Sequence, residues 1–207
     1  MTRTLLRRAR LAGAATVTLF AVSACGGGDH TSTGASGHGS TSAAQTGSAA
    51  PGAVFNDADV AFAQHMIVHH RQAVEMAVLA DTRAANAQVK ELAGKIKAAQ
   101  DPEITTMTGW LNAWGKPAPE PGAHGSGHES MPGMMSDADM KKLTDSTGAA
   151  FDKQFLTMMI AHHEGAITMA NDEASGGSNP EAKALATKIV ADQRAEITQM
   201  KDLLTKV

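Results

Sequence analysis

The sequence contains a single cysteine, Cys25, so no disulfide bond can form within the chain. It also lacks segments in which apolar and polar residues alternate over several positions, the pattern that is typical of strands. The apolar segment from Leu11 to Val22 is shorter than the roughly 20 residues that a membrane-spanning helix needs. These absences exclude a disulfide framework and argue against a sheet-based fold, so we predict an all-α domain.

The first 25 residues have the pattern of an exported protein. Four arginines precede the apolar segment, and small residues precede Cys25. The tetrad that ends at this cysteine, VSAC, resembles the bacterial lipobox, in which the cysteine becomes the lipidated first residue of the mature protein. We therefore predict a signal peptide over residues 1–24, lipidation of Cys25, and anchoring at the extracytoplasmic face of the cell membrane. Plain secretion with an unpaired thiol is the alternative.

Cleavage of this signal would make the chain more acidic. It would remove four arginines and no acidic residue, so the formal net charge would change from 18 − 21 = −3 to 14 − 21 = −7. An acidic chain is a poor candidate for binding nucleic acid and favours cations weakly. Residues 25–54 lack the apolar side chains of a core, so we predict a disordered tether there, with membrane contact through the lipid anchor only.

Residues 55–207 contain one structural unit twice. The two copies align without a gap at an offset of 155 − 62 = 93 positions. The matched pairs include Phe62 and Phe155, Met66 and Met159, His69 and His162, His70 and His163, Met76 and Met169, Gln100 and Gln193, and Glu103 and Glu196. A match of this length indicates duplication of a structural unit. We assign residues 56–114 to the first repeat, 115–136 to a linker and 137–207 to the second repeat.

The first repeat is predicted to contain two helices. One is expected from about Asn56 to about Ala80, and the other from about Asn86, because asparagine is a favoured residue at helix starts. A kink or a break is expected before Pro102, since proline removes a backbone hydrogen bond.

The second repeat is predicted to contain two matching helices. The first is expected from about Ala149 to about Ala174, and the second begins at Asn179, with Pro180 in its first turn. The expected fold is therefore an all-α, ferritin-like four-helix bundle made of two duplicated helical hairpins.

Histidine and methionine side chains occupy one face of the first helix in each repeat. Helical spacing places Met66, His69 and Met76 on one stripe, with His65 and His70 on its flanks. A buried imidazole needs partners for its polar nitrogens, and a bound metal would supply one. The candidate metal ligands in the two repeats are His65, Met66, His69, His70, Met76, Met158, Met159, His162, His163 and Met169.

Core packing is the alternative role for these side chains. Methionine is an adaptable core residue, and a neighbouring polar group can satisfy a single buried histidine. The duplicated i, i+4 pairs, such as Met66 with His70 and Met159 with His163, favour ligands instead, because such pairs can converge on one ion.

The donor types favour copper. Thioether and imidazole groups, without thiolate and with few carboxylates expected on the inner face, suit Cu(I) and, through imidazole, Cu(II). Zinc would favour cysteine or carboxylate partners, and iron or manganese would require more oxygen ligands.

The linker carries further soft or borderline donors in a segment rich in proline and glycine. We expect Met134 or Met135 to fold back onto the helices and contribute to a copper site, while His124 and His128 remain mobile and bind weakly. The alternative is that the methionines fill the end of the bundle as apolar side chains.

The two stripes and the linker include the segments FAQHMIVHHRQAVEMA, FDKQFLTMMIAHHEGAITMA and MPGMMS. These segments resemble the family known as domain of unknown function 305, over about residues 55–206. The family is grouped with ferritin-like helical bundles, and some members are described as exported copper-binding proteins. The resemblance therefore implies Met/His copper sites at the matching positions. His65 departs from the pattern, because the second repeat has methionine in its place.

We expect an exported, lipid-anchored protein that captures copper ions for buffering, resistance or delivery, with a delivery partner of unknown identity. A ferritin-like di-metal oxidase is an alternative, but neither repeat has the Glu-x-x-His motif of those enzymes, and no catalytic constellation is recognisable. Two more hypotheses are a haem protein with Met and His axial ligands and a structural lipoprotein without metal.

Overall fold

The structure is a computed structural model that describes residues 54–120 and 131–207. The predicted signal peptide, the predicted lipidation site Cys25 and the tether up to residue 53 lie outside the described residues, as do His124 and His128 of the linker. The described residues form five helices and no strand. The helices are α1 (Asp57–Arg83), α2 (Ala87–Ala113), α3 (Asp137–Asp145), α4 (Gly148–Gly176) and α5 (Pro180–Leu204).

The four long helices pack as two hairpins. Helix α1 packs against α2, α4 packs against α5, and the hairpins meet mainly through α1 and α4. The prediction of an all-helical fold is confirmed, and α3 is an additional short helix that contacts α1 and α4. None of the described helices has the length and hydropathy needed to cross a membrane.

Asparagine side chains begin three of the long helices. The side chain of Asn56 accepts hydrogen bonds from the backbone N–H groups of Ala58 and Asp59 at 2.9 and 3.1 Å. Asn86 and Asn179 cap α2 and α5 in the same way. These bonds satisfy backbone donors that have no partner within the helix, so the three starts fall where the capping residues predict them.

Helices α1 and α4 extend past their predicted ends. Helix α1 continues from Ala80 to Arg83, and α4 runs from Gly148 to Gly176. The added residues are polar or small, so they do not show the apolar periodicity from which the helix ends are predicted. Backbone hydrogen bonds of the i→i−4 type continue the helix without that periodicity.

Helix α2 continues through Pro102, so of the predicted kink or break the break does not occur. Proline removes the hydrogen bond that its N–H would donate to the carbonyl of Ala98, four residues earlier. Both residues are exposed, and water can therefore bind the carbonyl that lacks a partner in the helix.

Two buried aspartates at matching repeat positions, Asp59 and Asp152, join the hairpins. The carboxylate of Asp59 accepts hydrogen bonds of 2.8–3.2 Å from the backbone N–H groups of Ser178 and Asn179, immediately before α5. Asp152 accepts bonds of 3.1 and 2.8 Å from the two residues immediately before α2. A carboxylate on the first long helix of each repeat therefore anchors the start of the second long helix of the other repeat.

One of these junctions contains a second buried carboxyl group, that of Glu173. The matching position of the first repeat, 173 − 93 = 80, is Ala80. Burial and the neighbouring Asp59 raise the pKa of Glu173 to about 8. Glu173 is therefore protonated at neutral pH and donates a hydrogen bond to Asp59. Gly177 leaves room for this pair, since a Cβ atom there would lie 2.2 Å from Oε1 of Glu173.

Candidate metal-binding site

Four histidines meet where the two hairpins pack together. His69 and His70 on α1 and His162 and His163 on α4 each have a relative exposure of 0%. The rings of His69 and His162 are in contact across the two helices, with centroids 3.7 Å apart and planes tilted by 38°. The helical stripes predicted from the sequence therefore face each other.

Two glutamates, one on α2 and one on α5, determine which nitrogen of His70 and of His163 donates a hydrogen bond. Nε2 of His70 lies 2.9 Å from Oε2 of Glu103, and Nε2 of His163 lies 2.7 Å from Oε2 of Glu196. A carboxylate only accepts hydrogen bonds, so Nε2–H is the donor in both pairs. The expectation of few inward carboxylates is wrong for these two positions.

A backbone carbonyl has the same effect on His69. Its Nε2 lies 3.1 Å from the carbonyl oxygen of Pro132 in the linker, and that oxygen also only accepts. Nε2–H of His69 is therefore the donor. In the neutral form of all three of these histidines, Nδ1 is therefore the nitrogen with the lone pair.

The lone pairs on these Nδ1 atoms have no protein partner. The Nδ1 atoms of His69, His70 and His163 are buried without a hydrogen bond, and His162 lacks a partner on both ring nitrogens. The side chain of Gln100 is also buried without a partner, as is Oε1 of Gln193. Buried polar atoms without partners destabilise a fold by about 1–3 kcal/mol each. The nitrogen atoms without partners in this cluster are therefore atoms to which a metal ion would bind.

Three of the buried histidines, His69, His70 and His162, are neutral at pH 7. Burial, together with a smaller effect of the nearby His70, lowers the pKa of His69 to about 3. The pKa values of His70 and His162 are also lowered, in both cases chiefly by burial. Neutral imidazole is the form that binds metals.

The glutamate that faces His70 is ionised. Burial raises the pKa of Glu103, but the hydrogen bond from His70 and the hydrogen bond and positive charge of Lys188 more than offset this effect, so its pKa lies below the ordinary value. Nζ of Lys188 lies 3.1 Å from Oε1 of Glu103, which leaves Oε2 for the histidine.

The predicted methionine ligands differ in burial. Met66, Met76 and Met159 are fully buried, and Met158 is nearly so. Met66 and Met159 lie one helical turn before the two histidine pairs and pack among apolar side chains. Methionine side chains therefore lie in the core next to the buried histidines, in position either to pack or to bind a metal ion.

His65 is separated from this buried group by its exposure. It lines a surface cleft between α1 and α4 together with Met169 and Glu173. Met169 is half-buried in this cleft. These two predicted ligands therefore lie at the surface.

The linker segment Met131–Met135, which we call the strap, folds back onto the helices. The side chain of Gln72 accepts a hydrogen bond of 2.7 Å from the backbone N–H of Met135 and donates one of 2.9 Å to its carbonyl. Met134 and Met135 are half-buried, and Met135 packs against the core. The strap thereby brings the carbonyl of Pro132 to His69.

Two glycines allow the strap to approach α4 this closely. A Cβ atom on Gly165 would lie 2.0 Å from the carbonyl oxygen of Pro132. Gly133 has a φ of +77°, and a Cβ atom there would lie 2.6 Å from the carbonyl oxygen of Ala161. Any side chain at either position would push the strap away from the helix.

A complete site of hard or borderline ligands is absent from the part of the chain that the structure describes. Across residues 54–120 and 131–207, no three His, Cys, Asp or Glu side chains surround one point as a metal ion requires. Binding by the histidines therefore needs another donor type, such as methionine sulfur, or a rearrangement of the rings.

The sequence pattern assigns no role to the residues that orient the imidazoles. Glu103 and Glu196 match in the two repeats, as do Gln100 and Gln193, and this repetition is the one signal that points to them. Gly165 carries no such signal, because the first repeat has Gln72 at the matching position, 165 − 93 = 72.

The fold and the buried histidines define a duplicated helical protein of a known family. The sequence profile of the domain of unknown function called DUF305 matches residues 59–204. The chain belongs to the DUF305 family, as its segments of histidine and methionine indicated.

Solved structures of the same family are similar to this chain. A DUF305 protein from Streptomyces coelicolor, described as secreted, is 36% identical with a TM-score of 0.66, and the match covers 72% of this chain and 93% of that one. A DUF305 fragment from Deinococcus radiodurans is 34% identical with a TM-score of 0.67, covering 76% of this chain and 100% of the fragment.

A third similar protein, CopM, has been solved in Cu(I)-bound, Cu(II)-bound and silver-bound forms. Its Cu(I)-bound form is 31% identical with a TM-score of 0.60, covering 72% of this chain and 96% of CopM. An uncharacterized protein of Acanthamoeba polyphaga mimivirus is 43% identical over 53 residues. Those residues are 26% of this chain, which spans about a third (35%) of the length of that curated relative.

Proposed function

We propose that this protein binds copper ions through the buried histidine cluster and neighbouring methionine sulfurs, outside the cytoplasm. The observation that carries the proposal is the set of Nδ1 atoms on His69, His70 and His163 that are buried and without a partner, while Nε2 of each ring is bound to an oxygen acceptor. Evolution retains such destabilising groups most readily where they have a function. The role that we propose for this binding is the capture of copper for buffering, resistance or delivery.

Copper fits the donors better than other metals do. Imidazole and thioether groups are typical ligands of Cu(I), and the missing cluster of three hard or borderline donors among the described residues argues against a preformed zinc or iron site. The similarity to CopM, which has been solved with Cu(I) and Cu(II), supports the same metal.

The proposed ligands form an inner and an outer group. The inner group comprises His69, His70, His162 and His163 together with Met66 and Met159. The outer group comprises His65, Met134, Met135 and Met169, which are exposed or half-buried, and the buried Met76 and Met158 are further candidates on α1 and α4. Soft sulfur donors in the outer group would pass Cu(I) from the surface to the buried histidines.

Export and lipid anchoring are part of this proposal. The signal-like segment over residues 1–24 and Cys25 support anchoring at the extracytoplasmic face, over the tether of residues 25–54. The secreted description of the Streptomyces coelicolor relative agrees with a location outside the cytoplasm. The four long helices would form a ferritin-like four-helix bundle at the end of this tether, in a domain of residues 55–207.

A di-metal oxidase is the second candidate, and one observation favours it. Glu103 and Glu196 contact His70 and His163, which brings carboxylates and imidazoles together as in ferritin-like enzymes. Oxygen consumption by the iron-loaded protein would test this activity. We favour copper binding over oxidase activity. Each carboxylate is hydrogen-bonded to an imidazole nitrogen and does not face a shared metal position.

Copper binding can be measured by anaerobic competition with a chromophoric Cu(I) chelator. We expect tight binding by the purified protein and loss of most affinity when His69, His70, His162 and His163 are all replaced by leucine. Val78→Ala is the matched control on α1, because Val78 is exposed and is not one of the proposed ligands. Unchanged affinity in the fourfold variant, or an equal loss in Val78→Ala, would refute the assignment.

Thermal unfolding provides a second measurement. A ligand that binds only the folded state at about 100 times its Kd adds about 2.7 kcal/mol of stability. For a domain of this size the expected increase in Tm is about 5–10 °C with Cu(I). The fourfold variant should show no increase.

A further inference from the structure

The two glutamates that contact histidines occupy matching positions on α2 and α5. Glu103 and His70 are separated by 33 residues, and so are Glu196 and His163. In both pairs the contact joins Oε2 to Nε2, at 2.9 and 2.7 Å. The same contact therefore occurs in both repeats, which a packing accident in one helix pair does not explain.

We propose that Glu103 and Glu196 are positioning residues that present Nδ1 of His70 and Nδ1 of His163 as the atoms that ligate copper. The inference rests on the proposed function and adds the identity of the ligating nitrogens. An imidazole can bind a metal through only the ring nitrogen that lacks a proton. A carboxylate that accepts Nε2–H leaves that role to Nδ1 and holds the orientation of the ring.

Burial makes this orientation matter. Both rings have an exposure of 0%, so water cannot satisfy Nε2–H if the carboxylate is removed. The proton would then exchange between the two ring nitrogens, and the ring would lose its fixed orientation. Copper would have to select one of several arrangements, and its affinity would fall.

The surroundings of the carboxylates support a fixed geometry. Nζ of Lys188 lies 3.1 Å from Oε1 of Glu103, on the oxygen that does not contact His70. Both glutamates are largely shielded, with side-chain exposures of 10% for Glu103 and 19% for Glu196. Each therefore holds its histidine with little competition from water.

The test uses two substitutions at each glutamate. The leucine variants, Glu103→Leu and Glu196→Leu, keep a side chain of similar size but remove the acceptor. The glutamine variants, Glu103→Gln and Glu196→Gln, keep a side-chain carbonyl that still accepts a hydrogen bond from Nε2–H. Glu164→Gln is the matched control, because Glu164 follows His163 directly but is exposed and lies 3.7 Å from Nζ of Lys201.

The first readout needs no metal. Long-range proton–nitrogen NMR correlation of the metal-free protein labelled with 15N-histidine identifies the protonated ring nitrogen. We expect Nε2–H for His70 and His163 in the unchanged protein, in both glutamine variants and in Glu164→Gln. Each leucine variant should lose this state at its own histidine. Nδ1–H at His70 or His163 in the unchanged protein would overturn the proposal.

The second readout is Cu(I) affinity in the chelator competition. The leucine variants should bind about 10–100-fold more weakly, the glutamine variants should recover most of this loss, and Glu164→Gln should match the unchanged protein. Leucine variants that bind as tightly as the unchanged protein would overturn the positioning role, even where copper binding itself stands. Failure of the unchanged protein to bind copper would refute the proposed function. The NMR result would then show only which ring nitrogen each glutamate keeps protonated. Should a leucine variant fail to fold, the unchanged protein still tests the proposal, because Nδ1–H at His70 or His163 would overturn it.

Discussion

Three glycines inside helices differ in their surroundings and should respond to alanine in opposite directions. Gly94 and Gly109 lie on the exposed face of α2, and a Cβ atom at either would meet nothing within 4 Å. Gly165 on α4 lies under the strap, where a Cβ atom would be 2.0 Å from the carbonyl oxygen of Pro132. Alanine stabilises an exposed helix interior by about 1 kcal/mol relative to glycine.

The size of the effect at Gly165 follows from the contacts of the strap. An ordinary contact begins at 3.4 Å, so the carbonyl of Pro132 must retreat by about 3.4 − 2.0 = 1.4 Å. That movement breaks its 3.1 Å bond with His69 and strains both bonds between Gln72 and Met135. A buried donor without a partner destabilises by about 1–3 kcal/mol, and each further bond contributes about 1 kcal/mol. After subtracting the helix gain, we expect Gly165→Ala to destabilise by about 2–4 kcal/mol.

Thermal unfolding of the three metal-free variants measures this difference. One kcal/mol corresponds to about 2–4 °C in Tm for a protein of this size. Gly165→Ala should therefore lower Tm by about 4–16 °C, whereas Gly94→Ala and Gly109→Ala should each raise it by about 1–4 °C. An increase in Tm for Gly165→Ala that matches the two controls would show that the strap does not pack on α4 as described.

Three further predictions concern the buried polar groups and the strap. His162→Leu should raise the Tm of the metal-free protein by a few degrees, because it removes two buried nitrogens without partners, and should weaken Cu(I) binding; a lower Tm would contradict this. Burial and Asp59 raise the pKa of Glu173 from 4.5 to about 8, so the native state retains a proton that the unfolded state loses, and the free energy of unfolding should fall between these pH values by at most about 1.4 kcal/mol per unit. Urea unfolding at pH 6 and pH 9 should show this loss in the unchanged protein and a smaller one in Glu173→Gln; equal losses would refute it. Replacing Met134 and Met135 together by leucine should keep metal-free stability and lower Cu(I) affinity, and unchanged affinity would show that these sulfurs only pack.

The contacts of Glu103 and Glu196 with the histidines are the clearest feature that the sequence pattern did not predict. Helical spacing places His70 and His163 on inner faces, but it says nothing about which side chains of α2 and α5 reach them. Glu103 and Glu196 stand 33 residues further along the chain, and only the packing of α1 on α2 and of α4 on α5 brings them to Nε2. The repetition of both glutamates indicated importance without indicating a role.

The sequence by itself determined the all-helical fold, the duplication, and the starts of the helices at Asn56, Asn86 and Asn179, because periodicity and capping depend on residues close together in the chain. It also placed the histidines on one face of each helix. Only the tertiary structure decided that the two faces meet at His69 and His162 and that Pro132 contacts the first of these rings. Those contacts depend on how helices rotate and approach one another, which local spacing along one helix does not specify.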